Sequence, residues 1–574
     1  MLKIPKDSEE LEPWVQELVD ECMASSSDRG LVYTRATQYY YTGSYDARAA
    51  IYNKCKGFVD KLAGFLMQPT DVRFQLTFDS AEPQDVLERA ELTAEKLSAD
   101  YRQTDSDIGF SEAVRWSLVN GCQILKLRPT DESFAMAPVH PQNFGVLSES
   151  IVSLEEQEAF VHVSYPTTSR LRADLEEIRH PKVDEIMERV EQKPGPDRDA
   201  EEPTYLHQMI VGGLQPLGNI NESPQAAGIV SVFPVPTPWR PRRRFSPTVK
   251  HCEVWVKDRE RKGDYTTLQL VYPDIIIEGG KTRRNLSRVP GRSPFVKIQA
   301  ENTPGYFWGR SIIADVQMLQ DMLNKRLRDL KVMWDRNVAA PQVFSGFTNV
   351  TEEQYFKIIN EGGFLNDPNP NAKAQKLTEP PPQGYMEELE FIWKMFDEAG
   401  GFSPIMSGQG EPGVRAGVHA QTLVRTSSPR LIEQAARIER QLAETGFLGM
   451  RIMQAMDALI YTTEGGVQFR LSQIPGHVQC EVDSHSASPA FAEDNRQIAI
   501  ALARAGAVDA EDLIHMLHPP GAQLLLARLK QRQKAQAKAQ QQEKQEELVK
   551  EVIGLGSRRP SSGGGRSSGS RRRG

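Results

Sequence analysis

Residues 275–282 read Ile275-Ile276-Ile277-Glu278-Gly279-Gly280-Lys281-Thr282, an apolar strand running into Gly-Lys-Thr. A phosphate-cradling loop ends this way, with backbone N–H groups and a lysine wrapped around a β-phosphate. Such a loop also needs an earlier glycine five residues before Gly280, and Ile275 stands there. The continuation, Arg283-Arg284-Asn285-Leu286-Ser287, is a poor start for the helix that should follow. A hairpin turn is the better reading, and a nucleotide-driven motor is disfavoured.

Metal and acid–base chemistry fare no better. His477, Cys480 and His485 are ligands by type, but no second cluster completes a tetrahedron. His515 and His518 lie one helical turn apart, without the acid that a metalloprotease helix requires. Pro519-Pro520 follows them, so cationic histidines at a helix C-terminus explain the pair. Asp105-Ser106-Asp107 pairs two carboxylates in what reads as a loop and helix cap. No catalytic residue, metal or cofactor is expected.

Basic groups are more informative. Trp239-Arg240-Pro241-Arg242-Arg243-Arg244 gathers guanidinium groups that suit phosphate or an acidic neighbour, and a solvated loop is an equal reading. Lys325, Arg326, Arg328 and Lys331 cluster along one predicted helix, interleaved with Asp321, Asp329 and Asp335. Such a mixed surface suits inter-subunit ion pairs or weak, sequence-blind contact with DNA. Arg415 and His419 lie in and just beyond a Gly-rich stretch that includes Gly408, Gly410, Gly413 and Gly417, and Arg425 follows.

The chain has 574 residues, with 69 Lys+Arg against 77 Asp+Glu and a net charge of -8. That length predicts several compact units, and the acidic balance excludes a protein that coats nucleic acid over its whole surface. The five cysteines are scattered without a C-x-x-C pair, which predicts free thiols in a reducing compartment. No apolar run approaches a bilayer-spanning helix, and Met1–Asp7 has no secretory apolar core, so no membrane partner is expected.

These groups need elements to hold them. Apolar spacing predicts helices over 9–22, 45–67, 83–103 and 108–121, then a strand over 123–128. From 134 to 305 the chain turns strand-rich (159–163, 253–257, 267–272), interrupted by a charged helix over 168–192. Ile312, Val316, Leu319, Leu323, Leu327, Leu330 and Trp334 then mark one long helix over 309–337, with Gln320 and Asn324 on its other faces. Pro341 ends it. A loop-rich insert leads to a second helix over 383–398 that runs back. Pro429, capped by Ser427-Ser428, opens another long helix towards Ile460, with Gly446 and Gly449 as places for a bend. Strands near 467–482, a helical region over 488–517 and a Gln/Lys/Ala/Glu arm over 522–552 follow. Residues 557–574, dominated by Ser, Gly and Arg without an acid, should be disordered.

In this order the segments resemble a tailed-bacteriophage portal protein, the head-to-tail connector, over roughly residues 30–520. Ala49-Ala50-Ile51-Tyr52-Asn53-Lys54-Cys55-Lys56-Gly57-Phe58-Val59-Asp60-Lys61-Leu62 resembles the family's N-terminal helix. Gly305-Tyr306-Phe307-Trp308-Gly309-Arg310-Ser311, leading to Leu319-Gln320-Asp321-Met322-Leu323-Asn324, is similar to its approach to the stem. The resemblance implies an α+β, mainly helical subunit with wing, stem, clip and crown. Residues 1–308 would be N-terminal helices and a mixed wing, 309–337 the first stem helix, 338–382 the clip and 383–399 the second stem helix. Residues 400–417 would be a tunnel loop containing the four glycines, 418–487 a long wing helix with following strands, 488–556 crown and helical arm, and 557–574 a tail.

It further implies a ring, usually of twelve copies, at one capsid vertex of the virion, assembled in the host cytoplasm. Double-stranded DNA would pass through its channel without base readout, past Lys325, Arg326, Arg328, Lys331, Arg415, His419 and Arg425. The implied partners are the terminase large subunit, which supplies the energy, a major capsid or scaffolding protein, and a tail adaptor. A packaging ATPase and another head–tail structural component are the competing readings. Removal of Ser557–Gly574 is expected to leave the melting temperature unchanged; a substantial fall by calorimetry would contradict a disordered tail.

Overall fold

Period-two alternation explains the central sheet. Ala159, Val161 and Val163 alternate with Phe160, His162 and Ser164, and Cys252, Val254 and Val256 alternate with His251, Glu253 and Trp255. The first set meets Leu11, Val15, Leu18, Val19 and Cys22 of helix Ser8–Met23. On the opposite face Phe160 and Trp255 stack with centroids 6.0 Å apart, against Phe144, Phe295, Phe307 and Trp308.

The computed structural model describes residues 2–5, 8–45, 51–67, 72–78, 82–130, 133–177, 182–192, 249–257, 265–271, 275–277, 292–338, 340, 342–348, 351, 353–354, 356–357, 368–376, 382–401, 429–461, 468–482, 501–506, 510, 513 and 529. The chain forms two compact units, Met1–Ala490 and Phe491–Gly574. In the second, residues 501–504 are helical and the chain turns at Gly506, φ +69°.

The first unit mixes helix and strand, an α+β structure. Five strands, Phe144–Val146, Ala159–Ser164, His251–Lys257, Tyr265–Val271 and Ile275–Ile277, pair antiparallel in that order. A second sheet has Gln123–Pro129 between Phe134–Val139 and Phe295–Ile298. The five-stranded sheet is thus covered by a helix on one face and, on the other, by Phe295 of the second sheet with Phe307 and Trp308 from the segment that follows it.

Several expectations need revision. Where a single charged helix was expected over 168–192, two helices are described, Thr168–Glu177 and Val183–Gln192. A helix that the periodicity did not announce spans Ser26–Thr42, and its buried side mixes Arg29, Thr37 and Gln38 with Tyr33, Tyr39 and Tyr40. The helix expected over 45–67 is found at Lys54–Leu66, with Asn53 accepting from Lys56 N. Among the described residues no helix is long and apolar enough to cross a membrane.

Gly446 and Gly449 do not end the helix Pro429–Ala455. A Cβ at Gly446 would stand 2.3 Å from the Phe74 ring, and one at Gly449 2.6 Å from the Phe134 ring. These glycines admit aromatic rings against the helix backbone. An exposed helix gains stability on Gly→Ala substitution, by about 1 kcal/mol. Here Gly446→Ala and Gly449→Ala are each expected to lose about 1–3 kcal/mol through overpacking, read by urea unfolding. A gain in either variant would contradict the close ring contacts.

Candidate functional site

A second long helix, Ile313–Val338, forms a rod of about 39 Å at 1.5 Å per residue. Its approach is anchored. Trp308 Nε1 donates to Glu149 Oε1 at 2.7 Å, and the Arg29 guanidinium lies 3.6 Å from the Trp308 ring centroid. Arg29 also donates to the carbonyls of Pro141 (2.9 Å) and Phe144 (3.2 Å), so its buried charge is hydrogen-bonded on several sides. Gly309, at φ +71°, packs on Gly121, at φ +93°, where a side chain on either would strike backbone. Ser311 Oγ accepts from Ile313 N at 3.1 Å and starts the helix.

The face this helix buries differs from the one the leucine spacing picks out. Ile313, Val316, Gln320, Leu323 and Asn324 are buried, Leu319, Leu327 and Leu330 are half-buried, and Trp334 is 63% exposed. Gln320 and Asn324 are 0% and 2% exposed. Gln320 Oε1 accepts from Lys54 N (3.0 Å) and Cys55 N (3.2 Å), and its Nε2 donates to Tyr52 O (2.6 Å). Asn324 Oδ1 accepts from Ile51 N (3.1 Å) and Tyr52 N (3.2 Å), and its Nδ2 donates to Gly43 O (2.8 Å). Helix N-termini leave N–H groups without intrahelical partners. The rod helix satisfies two of them for the helix Lys54–Leu66 from outside. Tyr39 adds a hydrogen bond to Asp321 Oδ2 at 2.8 Å.

The returning helix, Tyr385–Ala399, runs antiparallel to the rod helix. Its Tyr385 hydroxyl donates to Arg326 O and its Glu388 pairs with Arg326 Nη2 at 2.8 Å, while at the other end Arg430 bridges Ala399 O to Asp315. Lys54 Nζ donates to Trp393 O at 2.7 Å and sits 3.8 Å from the Trp393 ring centroid; burial lowers its pKa to about 8, opposed by Asp397. Phe58 meets Phe396 edge-on with centroids 6.2 Å apart, and Lys61 pairs with Asp397 at 3.7 Å. Gln342–Ser345 and Lys373–Lys376 pair antiparallel in the stretch that joins the two helices.

The four clustered basic residues, Lys325, Arg326, Arg328 and Lys331, do not act as one group. Arg326 is committed to Glu388 and Asp329, whereas Lys325, Arg328 and Lys331 are exposed. At about 100° per residue those three fall within roughly a third of a turn, together with Asp321 and Asp335. Two exposed apolar groups flank this charged arc. Trp334 and Val338 (77% exposed) prolong the seam of Gln320 and Asn324 beyond the N-terminal helices that cover it. Met318 (72% exposed) and Met322 lie roughly half a turn from these two, and exposed Val332 falls within the charged arc itself. Met386, Phe391 and Trp393 of the returning helix are exposed as well. The apolar length was legible in the leucine spacing; a helix with two exposed apolar sides was not.

Arg415, His419, Arg425 and the loop glycines Gly408, Gly410, Gly413 and Gly417 lie outside the described residues, as do Arg240–Arg244, Lys281, His485, His515, His518 and the tail. Ile275–Ile277 is an edge strand paired with Tyr265–Val271. His477 Nε2 is 2.8 Å from Glu82 Oε1, and among the described residues no three His, Cys, Asp or Glu side chains group as metal ligands. Asp105 takes a left-handed φ of +53° before the helix Ser106–Asn120 and makes no side-chain cap bond, so it turns the chain without capping it. All five cysteines are free, and burial pushes the thiols of Cys22, Cys55, Cys122, Cys252 and Cys480 up to about 12. Nucleophilic thiolates are thereby disfavoured at neutral pH.

No family model matches the sequence, and no curated protein matches it. Among solved structures, the neck of a native GTA particle, computed with C12 symmetry, is similar at 12% identity and a TM-score of 0.35, over 81% of this chain and 89% of that one. A likeness of that strength does not by itself assign a function to this chain.

Gln320→Leu keeps the volume of the seam, removes three hydrogen bonds and strands the N–H groups of Lys54 and Cys55. The expected destabilisation is about 2–4 kcal/mol in urea unfolding. Arg326→Ala should lose no more than about 1 kcal/mol, since Arg326 and Glu388 are 37% and 38% exposed. Equal losses in the two variants would contradict the placement of the amide seam.

Proposed function

We propose that this chain is a portal subunit: copies form a closed ring at one capsid vertex, and double-stranded DNA enters and leaves the head through its channel. The single observation that carries the reading is the rod helix with an apolar group on each of two sides, Trp334 and Val338 on one, Met318 and Met322 on the other. Contiguous exposed apolar surface on a soluble chain marks an association site. Two different patches on one element suit a heterologous, head-to-tail contact, and such contacts close into rings.

The charged arc between the patches then faces the channel. Lys325, Arg328 and Lys331 alternate there with Asp321 and Asp335, a balance that attracts a phosphate backbone weakly and lets it slide. The returning helix stands on the far side of the rod and braces it through Arg326, Glu388 and Tyr385. The order of sequence segments supports the same reading, with the insert between the two helices as the clip to which a terminase large subunit would dock. Contacts with a tail adaptor and with a capsid or scaffolding protein belong to the proposal, as does the loop from Gly408 to Gly417 as the element that meets moving DNA. The channel is a conduit and does no chemistry.

Native mass spectrometry of the full chain is expected to show one closed multimer. Trp334→Asp and Met318→Asp, on opposite sides of the rod and away from the amide seam, should each reduce it to small species while circular dichroism stays unchanged. A monomer in the unsubstituted protein, or a multimer indifferent to both substitutions, would sink the proposal. Aspartate at Lys325 and Lys331 together should leave assembly intact and lower DNA retention in assembled particles.

A further inference from the structure

The face of the five-stranded sheet that carries Phe160 and Trp255 changes character two residues further along. Cross-strand register sets His162 opposite Glu253 and Ser164 opposite His251, all on the aromatic side. Lys126, from the middle strand of the other sheet, reaches across: its Nζ lies 2.5 Å from Glu253 Oε1 and 2.6 Å from Oε2. His162 Nδ1 stands 3.5 Å from Glu253 Oε2, and Ser164 Oγ is 3.3 Å from His251 Nδ1. Lys126, His162 and His251 are buried and the Glu253 side chain is 16% exposed. Four titratable groups therefore share one dry seam where two sheets meet.

The seam has one carboxylate and a surplus of actual and potential cations. Lys126 and Arg128 come from the three-stranded sheet, His162 and His251 from the five-stranded one, and Gln269 and Ser164 are the polar neighbours of His251. Burial works against charge on both histidines and holds them below their usual range, although Glu253 attracts a proton to each. Burial alone would raise the Glu253 carboxyl, but Lys126 and His162 hold it well below the usual carboxylate range. At neutral pH the balance is one anion and one cation in contact. A proton on His162 would compete with Lys126 for the same carboxylate, and one on His251 would add repulsion nearby without a second anion. The His162 and Lys126 side chains both lie near the Phe295 ring, at 5.5 Å, so displacement of either disturbs the aromatic core.

We propose that His162, Glu253 and His251, clamped by Lys126, form a proton-operated clasp: proton uptake by the two histidines opens the Lys126–Glu253 contact and loosens the five-stranded sheet from the three-stranded one. The sign follows from linkage. The unfolded or opened chain binds protons at the histidines from about pH 6.5 downward, the closed clasp only at lower pH, so stability is complete above that value and falls as the solution is acidified through it. The device is independent of ring formation and of any contact with DNA.

Hydrogen–deuterium exchange of the full chain at pH 7.5 and pH 5.0, corrected for intrinsic exchange, tests it. Protection in residues 159–164 and 251–257 is expected to fall at least tenfold at pH 5.0, with helix 429–455 changing less than threefold. His162→Gln with His251→Gln should remove most of that difference, whereas His140→Gln, a buried histidine beside Arg29, should leave it in place. Equal protection at both pH values, or the same acid loss in the double variant, overturns the clasp. Should the double variant fail to fold, carbon-13 labelled histidine in the unsubstituted protein gives the answer directly: two resonances besides that of His140 titrating below the ordinary histidine range, together with the exchange loss, support the clasp, and ordinary titration of both overturns it.

Discussion

Gln320 and Asn324 place two primary amides one helical turn apart in the middle of a buried seam, where leucine would ordinarily stand. Gly43 and residues 51–55 meet the rod helix there with backbone N–H and C=O groups that the two amides pair. Stranding such groups away from water costs more than the hydrogen bonds contribute when made. The amides therefore specify the rotation of the rod. Turning it by one residue, about 100°, would bring Asp321 and Lys325 into the seam and leave the backbone of Tyr52 and Lys54 unpaired. Every other surface of the rod takes its direction from that constraint, including the charged arc and both exposed apolar groups.

How much of this was legible beforehand depends on the kind of signal. Alternation placed the strands around Phe160 and Trp255 because one-face burial imposes a strict period of two. The rod helix and the returning helix followed from spacing and from Pro341. The buried face did not, because Gln320 and Asn324 count as polar in any periodicity and their partners are backbone atoms some 270 residues away in sequence. The helix Ser26–Thr42 escaped notice for a similar reason, its inner side being tyrosines and hydrogen-bonded polar groups. Gly446 and Gly449, read as places for a bend, each accommodate an aromatic ring that comes from a distant strand, a role the sequence did not announce. Of the basic residues singled out on the rod, Arg326 turned out to be a brace; its neighbours Lys325, Arg328 and Lys331 stayed on the open surface.

The two sheets and the paired helices divide the work of the larger unit. Aromatic packing, Arg29 on Trp308 and the Lys126–Glu253 contact tie the two sheets and their flanking helices into one base. From that base the run Tyr306 to Ser311 launches the rod in a set direction, since Gly121 and Gly309 let the two segments touch at the launch point. A helix held firmly at one end, with Met318 and Met322 exposed near that end and Trp334 and Val338 exposed near the other, is built to be completed by neighbours, and the portal reading is the proposal that says which neighbours and around what.

Electron cryomicroscopy of the purified full-length chain tests that claim most directly. The expected map is a closed ring in which residues 313–338 of each copy stand side by side, Trp334 and Met318 are covered by adjacent copies, and Lys325, Arg328 and Lys331 face a hole wide enough for a DNA duplex. A solitary subunit with the rod exposed, or an assembly whose rods point away from any opening, would contradict it.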